Sequence, residues 1–293
     1  MIVELKSKSG LIKIDSKGAE LISFQDVFGT EYIWQKDEKY WGRSSPILFP
    51  IVGNLRENKV KIEGKEYNIP KHGFCRDAEF KVLFKNETKA IFSYSDNEKT
   101  REIYPYKFNL TLTYAFEDGK LEISYCVLNQ DEKPIDFCLG AHPAFNFPLK
   151  NDGEFDDYFI QFNKSEPDGC PIYDLEKLQI NVENRVNLLD EKNRLYLKYD
   201  KFDNDAIIFD KLKSNSISVC SKKTGRGVQV DIDGFDFLAF WTPTKQDAKF
   251  LCVETWCGMA VCSDEDDNFT SKRGVKHLDV SKQFKCKIKI SPL

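Results

Sequence analysis

Apolar and polar residues alternate with a period of two along much of the chain. Between residues 108 and 116 every second position is aromatic or leucine, and the positions between them are polar or small. The residues EDGK follow, with a glycine at position 119, and the alternation resumes over residues 121–127. Alternation on both sides of a short glycine-containing turn predicts an antiparallel β-hairpin with one buried face.

Similar patterns recur throughout the chain. A second glycine turn lies within KVKIEGKEYNI (59–69), a third around SKG (16–18), and strand-like runs such as DAIIFD, GVQVDID and FKCKIKI occur in the C-terminal part. Only YDLEKLQ (173–179) has a short helical pattern. Many short strands, with no internal repeat and no Pro/Gly/Ser-rich linker, predict an all-β sandwich that forms one domain over residues 1–293.

Composition and charge narrow the class of function. The chain has 43 basic and 47 acidic residues, for a net charge of −4, and no basic block is interleaved with aromatic residues, so we expect no nucleic-acid partner. No apolar run approaches the roughly 18–20 residues of a membrane helix, and the first residues do not resemble a signal peptide. Nine dispersed cysteines without a CxxC pair predict reduced thiols in a cytoplasmic protein with no membrane partner.

Four stretches interrupt the alternation with residue types that a sheet does not need. They are WGRSSPILFPIVGNLRENK (41–59), KHGFCRD (71–77), GAHPAFNFP (140–148) and LCVETWCGMA (251–260), and a weaker fifth stretch is FDNDAIIFD (202–210). Their histidines lack the HxH, HxxxH or paired-cysteine spacing of a metal site, so we expect no bound metal. Motifs for ATP, dinucleotides and acyl transfer are absent, so we expect no cofactor.

Glu254 lies in the strand-like run FLCVETWCG, close to Trp256. A carboxylate among apolar residues loses its hydration unless it is paired or catalytic. The indole beside it offers a flat face on which a pyranose ring can stack. A glutamate that points to water from an edge strand is the alternative, and this stretch alone leaves both interpretations open.

Two histidines precede residues that constrain the backbone. His142 is followed by Pro143, and His72 is followed by Gly73. Such positions suit a side chain that is held for a purpose, but a histidine that only completes hydrogen bonds in a loop fits the same pattern. Asp205, in FDND, fits an ordinary turn equally well.

In this order, YWGRSSPILFPIVGN, HGFCRD, GAHPAFNFP, DNDAIIFD and CVETWCG resemble the landmarks of the aldose 1-epimerase (mutarotase) family, and most of all its LacX-like bacterial branch. They span residues 40 to 258. The resemblance implies a large galactose-mutarotase-like β-sandwich, or supersandwich, with an open sugar cleft. It also implies a cofactor-independent isomerase that interconverts the α and β anomers of an aldohexose.

The resemblance further implies a role for individual residues. Glu254 would be the general base and His142 the general acid. His72 and Asp205 would hold sugar hydroxyls, and Trp256 would lie near the sugar ring. Arg76, in HGFCRD, is a further candidate for binding substrate.

The chain departs from the family pattern at two positions. The usual proline after the glutamate is Thr255 here, and the family's sugar-binding arginine falls at or next to Asn54. Arg56 lies two residues further on, and two residues along a strand restore the same face, so Arg56 could take that role. Asn54 could instead bind a hydroxyl itself.

Anomer interconversion needs one acid and one base. The O1 hydroxyl loses a proton, the ring oxygen gains one, and the opened aldehyde rotates before the ring closes on its other face. A glutamate is ionised at pH 7, with a reference pKa of about 4.3. A histidine, with a pKa of about 6.5, needs only a modest upward shift to stay protonated, which a neighbouring carboxylate can provide.

Two other functions fit the same sequence. A hexose-6-phosphate 1-epimerase would bind its phosphate through Arg43 and Arg76, although both arginines can equally form ordinary salt bridges. A non-catalytic carbohydrate-binding protein would not need an acid–base pair. In each case the partner is a small sugar, and the sequence is compatible with a monomer or a homodimer. We expect a preference for unphosphorylated aldohexoses.

Overall fold

The computed structural model describes residues 1–293 and confirms the predicted all-β class. The strands are β1 (Ile2–Ser7), β2 (Gly10–Asp15), β3 (Glu20–Asp26), β4 (Ile47–Leu48), β5 (Lys59–Ile62), β6 (Lys65–Asn68), β7 (Lys81–Lys85), β8 (Lys89–Ser95), β9 (Phe108–Glu117), β10 (Lys120–Asn129), β11 (Ile135–Phe137), β12 (Leu139–Ala141), β13 (Ala144–Asn146), β14 (Tyr158–Phe162), β15 (Cys170–Asp174), β16 (Gln179–Val186), β17 (Arg194–Tyr196), β18 (Ile207–Phe209), β19 (Ser216–Ser221), β20 (Gly227–Asp233), β21 (Phe237–Trp241), β22 (Phe250–Cys257), β23 (Lys276–Leu278) and β24 (Gln283–Pro292). The one α-helix is α1 (Glu98–Ile103), and short 3₁₀ segments lie at Arg56–Asn58, Cys75–Asp77, Phe155–Asp157, Tyr199–Phe202 and Phe269–Ser271.

The largest sheet has nine antiparallel strands in the order β17-β14-β19-β20-β24-β10-β9-β8-β7. Its centre contains the predicted hairpin, in which Glu117 pairs with Lys120 across a two-residue turn. Both turn residues, Asp118 and Gly119, have positive φ (48° and 75°), as the turns preferred in tight hairpins require. Every second residue of β9 is buried, so the observed burial follows the sequence pattern.

A second sheet of six strands carries the candidate site. Its order is β18-β21-β22-β12-β4, and β13 also pairs with β22. Strand β22 therefore has β21 on one side and both β12 and β13 on the other. All eight of its residues are buried, so both of its faces are covered.

Side chains from both sheets, and from the three-stranded sheet β1–β3, belong to one cluster of buried residues that extends from Val3 to Ile290. All nine cysteines are free. The helix α1 and the 3₁₀ segments fall far short of the length and hydropathy of a membrane-spanning helix.

The helical pattern at residues 173–179 was a wrong prediction. These residues end β15, turn, and begin β16, so they form a hairpin. The side chain of Asp174 accepts hydrogen bonds from the backbone N–H groups of Glu176 and Lys177, both at 3.0 Å. An aspartate that bonds the backbone just ahead of it stabilises a turn in preference to a helix.

Candidate active site

His142 and Glu254 meet because their strands are in register. Ala141, at the end of β12, pairs with Thr255, and Ala144, at the start of β13, pairs with Cys252. His142 follows Ala141 and therefore lies directly opposite Glu254 on the neighbouring strand. Side chains at directly opposite positions of adjacent strands are close enough to contact each other. His142 Nε2 lies 3.1 Å from Glu254 Oε2, and both side chains are buried.

Trp256 supports the same carboxylate from its own strand. It lies two residues beyond Glu254, on the same face of β22, and its Nε1–H donates a hydrogen bond to Glu254 Oε2 at 3.2 Å. The residue opposite Trp256 is Gly140, where a Cβ would lie 3.0 Å from Trp256 Cδ1. The glycine of GAHP thus leaves room for the indole.

Two further tryptophans surround the His142 ring. The ring of Trp41 stacks on it with centroids 4.9 Å apart, and Trp241 meets it edge-on at 6.0 Å. Neither was assigned a role from the sequence, although Trp41 begins the first of the interrupting stretches. His142 Nδ1 is buried and has no hydrogen-bond partner.

His72 is fixed by its backbone and by its ring. Its φ is +66°, and its Nδ1 accepts a hydrogen bond from the backbone N–H of Gly53 at 3.1 Å. The neutral ring therefore carries its proton on Nε2. The next residue must be glycine, because a Cβ on Gly73 would lie 2.0 Å from the carbonyl oxygen of Phe49. The ring centroids of His72 and His142 are 5.6 Å apart.

These side chains line one cavity of about 270 Å³. The structure brings seven of the predicted residues to its wall, namely Asn54, His72, Arg76, His142, Asp205, Glu254 and Trp256. Polar and aromatic residues that the sequence did not single out complete it, among them Trp41, Lys71, Tyr173 and Trp241. A cavity of this size suits a single monosaccharide better than a longer glycan.

Asn54 is bonded to the hairpin of β15 and β16. Its Oδ1 accepts a hydrogen bond from the hydroxyl of Tyr173 at 3.2 Å, and its Nδ2 donates to the carbonyl oxygen of Leu178 at 2.7 Å. Both ends of the amide are therefore engaged with protein groups. Asn54 holds the hairpin, and with it Tyr173, against the cavity.

Arg56 lies outside the cavity, which corrects the suggestion that it takes the place of the family's arginine. Its Nε donates to both carboxylate oxygens of Asp267 at 3.1 and 3.2 Å, and its Nη1 donates to Gln179 at 2.9 Å. The same-face argument assumed an extended chain, but Arg56 begins a 3₁₀ segment in which Glu57 has a φ of +53°. The side chain consequently turns away from the cavity.

The two arginines proposed for phosphate differ in position. Arg76 lines the cavity, where its Nη2 donates to the carbonyl oxygen of Lys71 at 2.8 Å. Its buried Nε has no hydrogen-bond partner and lies 3.8 Å from Asp77 Oδ2. Arg43 makes two hydrogen bonds to the carboxylate of Asp77, at 2.9 and 3.2 Å, and does not line the cavity.

Burial dominates the electrostatics of the central pair. It raises the pKa of Glu254 well above its ordinary value, and the negative charge of Asp205 adds to that shift. Burial also lowers the pKa of His142 to about 3, which contradicts the upward shift expected from the sequence. Burial likewise lowers the pKa of His72, helped by the nearby His142. Because loss of hydration penalises the charged form of each group, the pair favours a carboxylic acid beside a neutral imidazole.

One group of side chains near the cavity has the donor atoms for a metal ion. The ligand atoms of His142, Cys252 and Glu254 lie within 4.8 Å of one another, and all three residues are buried. Cys252 is two residues before Glu254 and therefore shares its face of β22.

Comparison with known proteins gives a consistent result. The family model for aldose 1-epimerase matches residues 1–266. The chain is 34% identical to the plasmid-encoded protein LacX of Lactococcus lactis subsp. lactis, over 97% of both chains. This chain belongs to the aldose 1-epimerase family. The resemblance seen in the sequence is thereby confirmed, and the family supports an isomerase that acts on a small carbohydrate.

Solved structures agree with this assignment. A galactose mutarotase-like protein from Lactobacillus casei ATCC 334 superposes with a TM-score of 0.93 at 29% identity, over the whole of both chains. A galactose mutarotase related enzyme from Lactobacillus acidophilus gives a TM-score of 0.91, also at 29% identity, over 100% of this chain and 97% of that one. The galactose-mutarotase-like β-sandwich is therefore the fold of this chain.

Proposed function

We propose that this protein is an aldose 1-epimerase that interconverts the α and β anomers of an aldohexose by acid–base ring opening and closure. The contact of 3.1 Å between His142 Nε2 and Glu254 Oε2, in the wall of the cavity, carries the proposal. A protein that only binds sugar has no need for two buried titratable groups that share a proton. Pairs whose environments perturb both pKa values are typical of acid–base catalysis.

The pair supplies both proton transfers. The carboxylate of Glu254 takes the proton from O1 while His142 gives a proton to the ring oxygen, so that the bond from C1 to the ring oxygen breaks as the C1 carbonyl forms. After rotation about C1–C2 the ring hydroxyl attacks the other face of the carbonyl. His142 then recovers its proton and Glu254 returns the other to O1, so no atom is gained or lost.

The form of the pair that reacts differs from the favoured one by the position of one proton. Moving the proton from Glu254 to His142 across their contact gives a carboxylate beside an imidazolium, with no change in net charge. Sugar hydroxyls that donate to the carboxylate favour this form, because hydrogen bonds to a charged group stabilise it. Each proton transfer is worth about 10²–10⁴ in rate.

The other cavity residues would position the sugar. The Nε2–H of His72 is the donor available for a hydroxyl oxygen, and the carboxylate of Asp205 is an acceptor for hydroxyl protons. The indole of Trp256 and the rings of Trp41 and Trp241 supply apolar surface for the C–H faces of the pyranose.

We propose unphosphorylated aldohexoses as the preferred substrates. Arg43 is already paired with Asp77 and does not line the cavity, whereas the carboxyl group of Asp205 does. A hexose 6-phosphate is the second candidate, and its support is that Lys71 and Arg76 line the cavity and that Arg76 Nε makes no hydrogen bond. Arginine and lysine side chains are suitable ligands for a phosphate.

Polarimetry on freshly dissolved α-glucose, α-galactose and α-glucose 6-phosphate tests the function. Purified protein should accelerate the change in optical rotation of at least one neutral sugar, with a higher kcat/KM than for the phosphate. Arg43→Ala and Arg76→Ala should lower stability more than they raise KM. A preference for glucose 6-phosphate that is lost when both arginines are replaced would establish the second candidate, and acceleration of none of the sugars would contradict epimerase activity on them.

A further inference from the structure

Cys252 is a buried thiol beside the acid–base pair that the proposed reaction does not use. It faces the same side of β22 as Glu254, and its cross-strand neighbour is Ala144, two residues after His142. It belongs to a small apolar cluster and is fully buried. The thiol thus lies beside the pair, and Cys252 is not among the residues that line the cavity.

The three side chains have the spacing of a partly formed metal site. Their ligand atoms lie within 4.8 Å of one another, and the His142–Glu254 contact is already 3.1 Å. Tetrahedral zinc with ligands at about 2.0–2.3 Å requires ligand atoms roughly 3.3–3.8 Å apart. The ligand atoms would therefore have to move by less than about 2 Å to reach the separations that zinc requires. Changes of side-chain rotamer can provide such a movement.

The charges also match a divalent cation. A thiolate and a carboxylate together neutralise the two positive charges of the ion, and the imidazole binds as a neutral ligand. A site with no net charge has the smallest penalty for burial. Thiolate and imidazole favour zinc and cadmium, whereas calcium and magnesium prefer oxygen ligands.

We propose that His142, Cys252 and Glu254 form a binding site for zinc or cadmium ions, and that an ion bound there inhibits the enzyme. The ion enters through the sugar cavity, because His142 and Glu254 line it, and a water molecule completes the coordination. Bound metal occupies the lone pairs that accept and deliver protons. The inhibition rests on the proposed function, whereas the binding rests on the geometry alone.

Metal titration of the purified protein, with two separate readouts, tests the site. Cadmium is added while the ultraviolet charge-transfer band of a cadmium–thiolate bond is recorded, and zinc is added while the epimerase rate is measured. The variants are Cys252→Ser, which removes the thiol and keeps its size, and Cys126→Ser, which removes a more exposed thiol on β10. The untreated enzyme with EDTA serves as the reference.

We expect cadmium to produce the band and zinc to inhibit, with EDTA reversing the inhibition and leaving the untreated enzyme unchanged. Cys252→Ser should abolish the band and raise the zinc concentration for half-inhibition by at least about tenfold, since even supporting residues of metal sites contribute this much. Cys126→Ser should behave as the wild type. Glu254→Gln should weaken cadmium binding, and it provides a second test should the Cys252 variant fold poorly.

Inhibition or a cadmium band that persists unchanged in folded Cys252→Ser would overturn the proposal, and so would a wild type that gives no band. The band requires no catalysis. A band with no epimerase activity on any sugar would therefore refute the proposed function and leave the metal site standing.

Discussion

The hairpin β9–β10 and the strand β22 handle polar residues in opposite ways. Along β9 every second residue is apolar and buried, and the residues between them are partly exposed. Along β22 all eight residues are buried, including Glu254 and Thr255. The hairpin needs only a surface that separates core from water, whereas β22 holds a carboxylate that is almost fully buried in the wall of the cavity.

This difference separates residues that make the fold from residues that make the site. Burying an ionisable group costs free energy unless it has partners. Glu254 has them, because register places His142 opposite it and Trp256 is on the same face. Glu122 is the corresponding carboxylate in the hairpin, and it also lies near the end of its strand. It forms an ion pair with Lys287, whose side chain is exposed.

Replacement of these two glutamates should give the largest contrast. Glu254→Gln keeps the shape of the side chain but cannot accept the O1 proton, so kcat should fall by at least about a hundredfold. Glu122→Gln removes only an exposed ion pair, and such pairs contribute little, so its rate should equal that of the wild type. Steady-state polarimetry measures both, with near-ultraviolet circular dichroism to confirm folding. A Glu254→Gln enzyme with most of its activity would remove Glu254 from the mechanism.

Replacement of the two histidines should affect different kinetic constants, kcat for His142 and KM for His72. His142→Asn should lower kcat far more than it raises KM, because protonation of the ring oxygen counts in the transition state. His72→Asn should show the larger change in KM, because the role proposed for its ring, which Gly53 holds in place, is to donate a hydrogen bond to a sugar hydroxyl. If His72→Asn shows the kcat loss and His142→Asn the KM change, the roles are exchanged.

A smaller contrast lies between Asn54 and Arg56. Asn54→Ala removes both hydrogen bonds to the β15–β16 hairpin and should raise KM about fivefold, because a typical hydrogen bond contributes about 1 kcal/mol net and about 1.4 kcal/mol corresponds to tenfold. Arg56→Ala breaks contacts outside the cavity and should leave kcat/KM within about twofold of wild type. A larger KM effect for Arg56→Ala would return the sugar-binding role to the arginine. Hydrogen exchange of residues 170–186 would show whether Asn54→Ala loosens the hairpin.

The smallest expected effect is a flat pH profile near neutrality. The pKa of His142 is lowered to about 3 and that of Glu254 is raised, so the pair keeps its single shared proton between those two values. The rate should therefore fall on the acid side only as the pH approaches 3, and on the alkaline side as Glu254 loses the proton. The measurement is kcat/KM against pH. An acid limb near 6.5 would mean that His142 titrates with its ordinary pKa.

The sequence showed the hairpin more readily than the site, for a physical reason. The alternation of β9 and β10 is a local pattern, and their turn residues are adjacent in the chain. The pairing of His142 with Glu254 depends on the register of strands that are far apart in sequence, which no local pattern reveals. The family resemblance suggested roles for the two residues, but it did not show that their side chains touch.

Local geometry also explains the errors. The positive φ of Glu57 breaks the extended chain that would have placed Arg56 in the cavity. The turn at Asp174 converts a short helical pattern into the hairpin that brings Tyr173 to the cavity wall. Trp241 lies at the end of an ordinary apolar strand, so nothing in its surroundings distinguished it before the sheet was known.

If His142 and Glu254 act as one proton-sharing unit, a double-variant cycle will reveal the coupling between them. The kcat of His142→Asn, Glu254→Gln and the double variant is measured against wild type on the same sugar. Residues that act as a unit are strongly non-additive, so the double variant should be about as slow as the slower single variant. If instead the double variant is slower by the product of the two single effects, the residues act independently and do not share a proton.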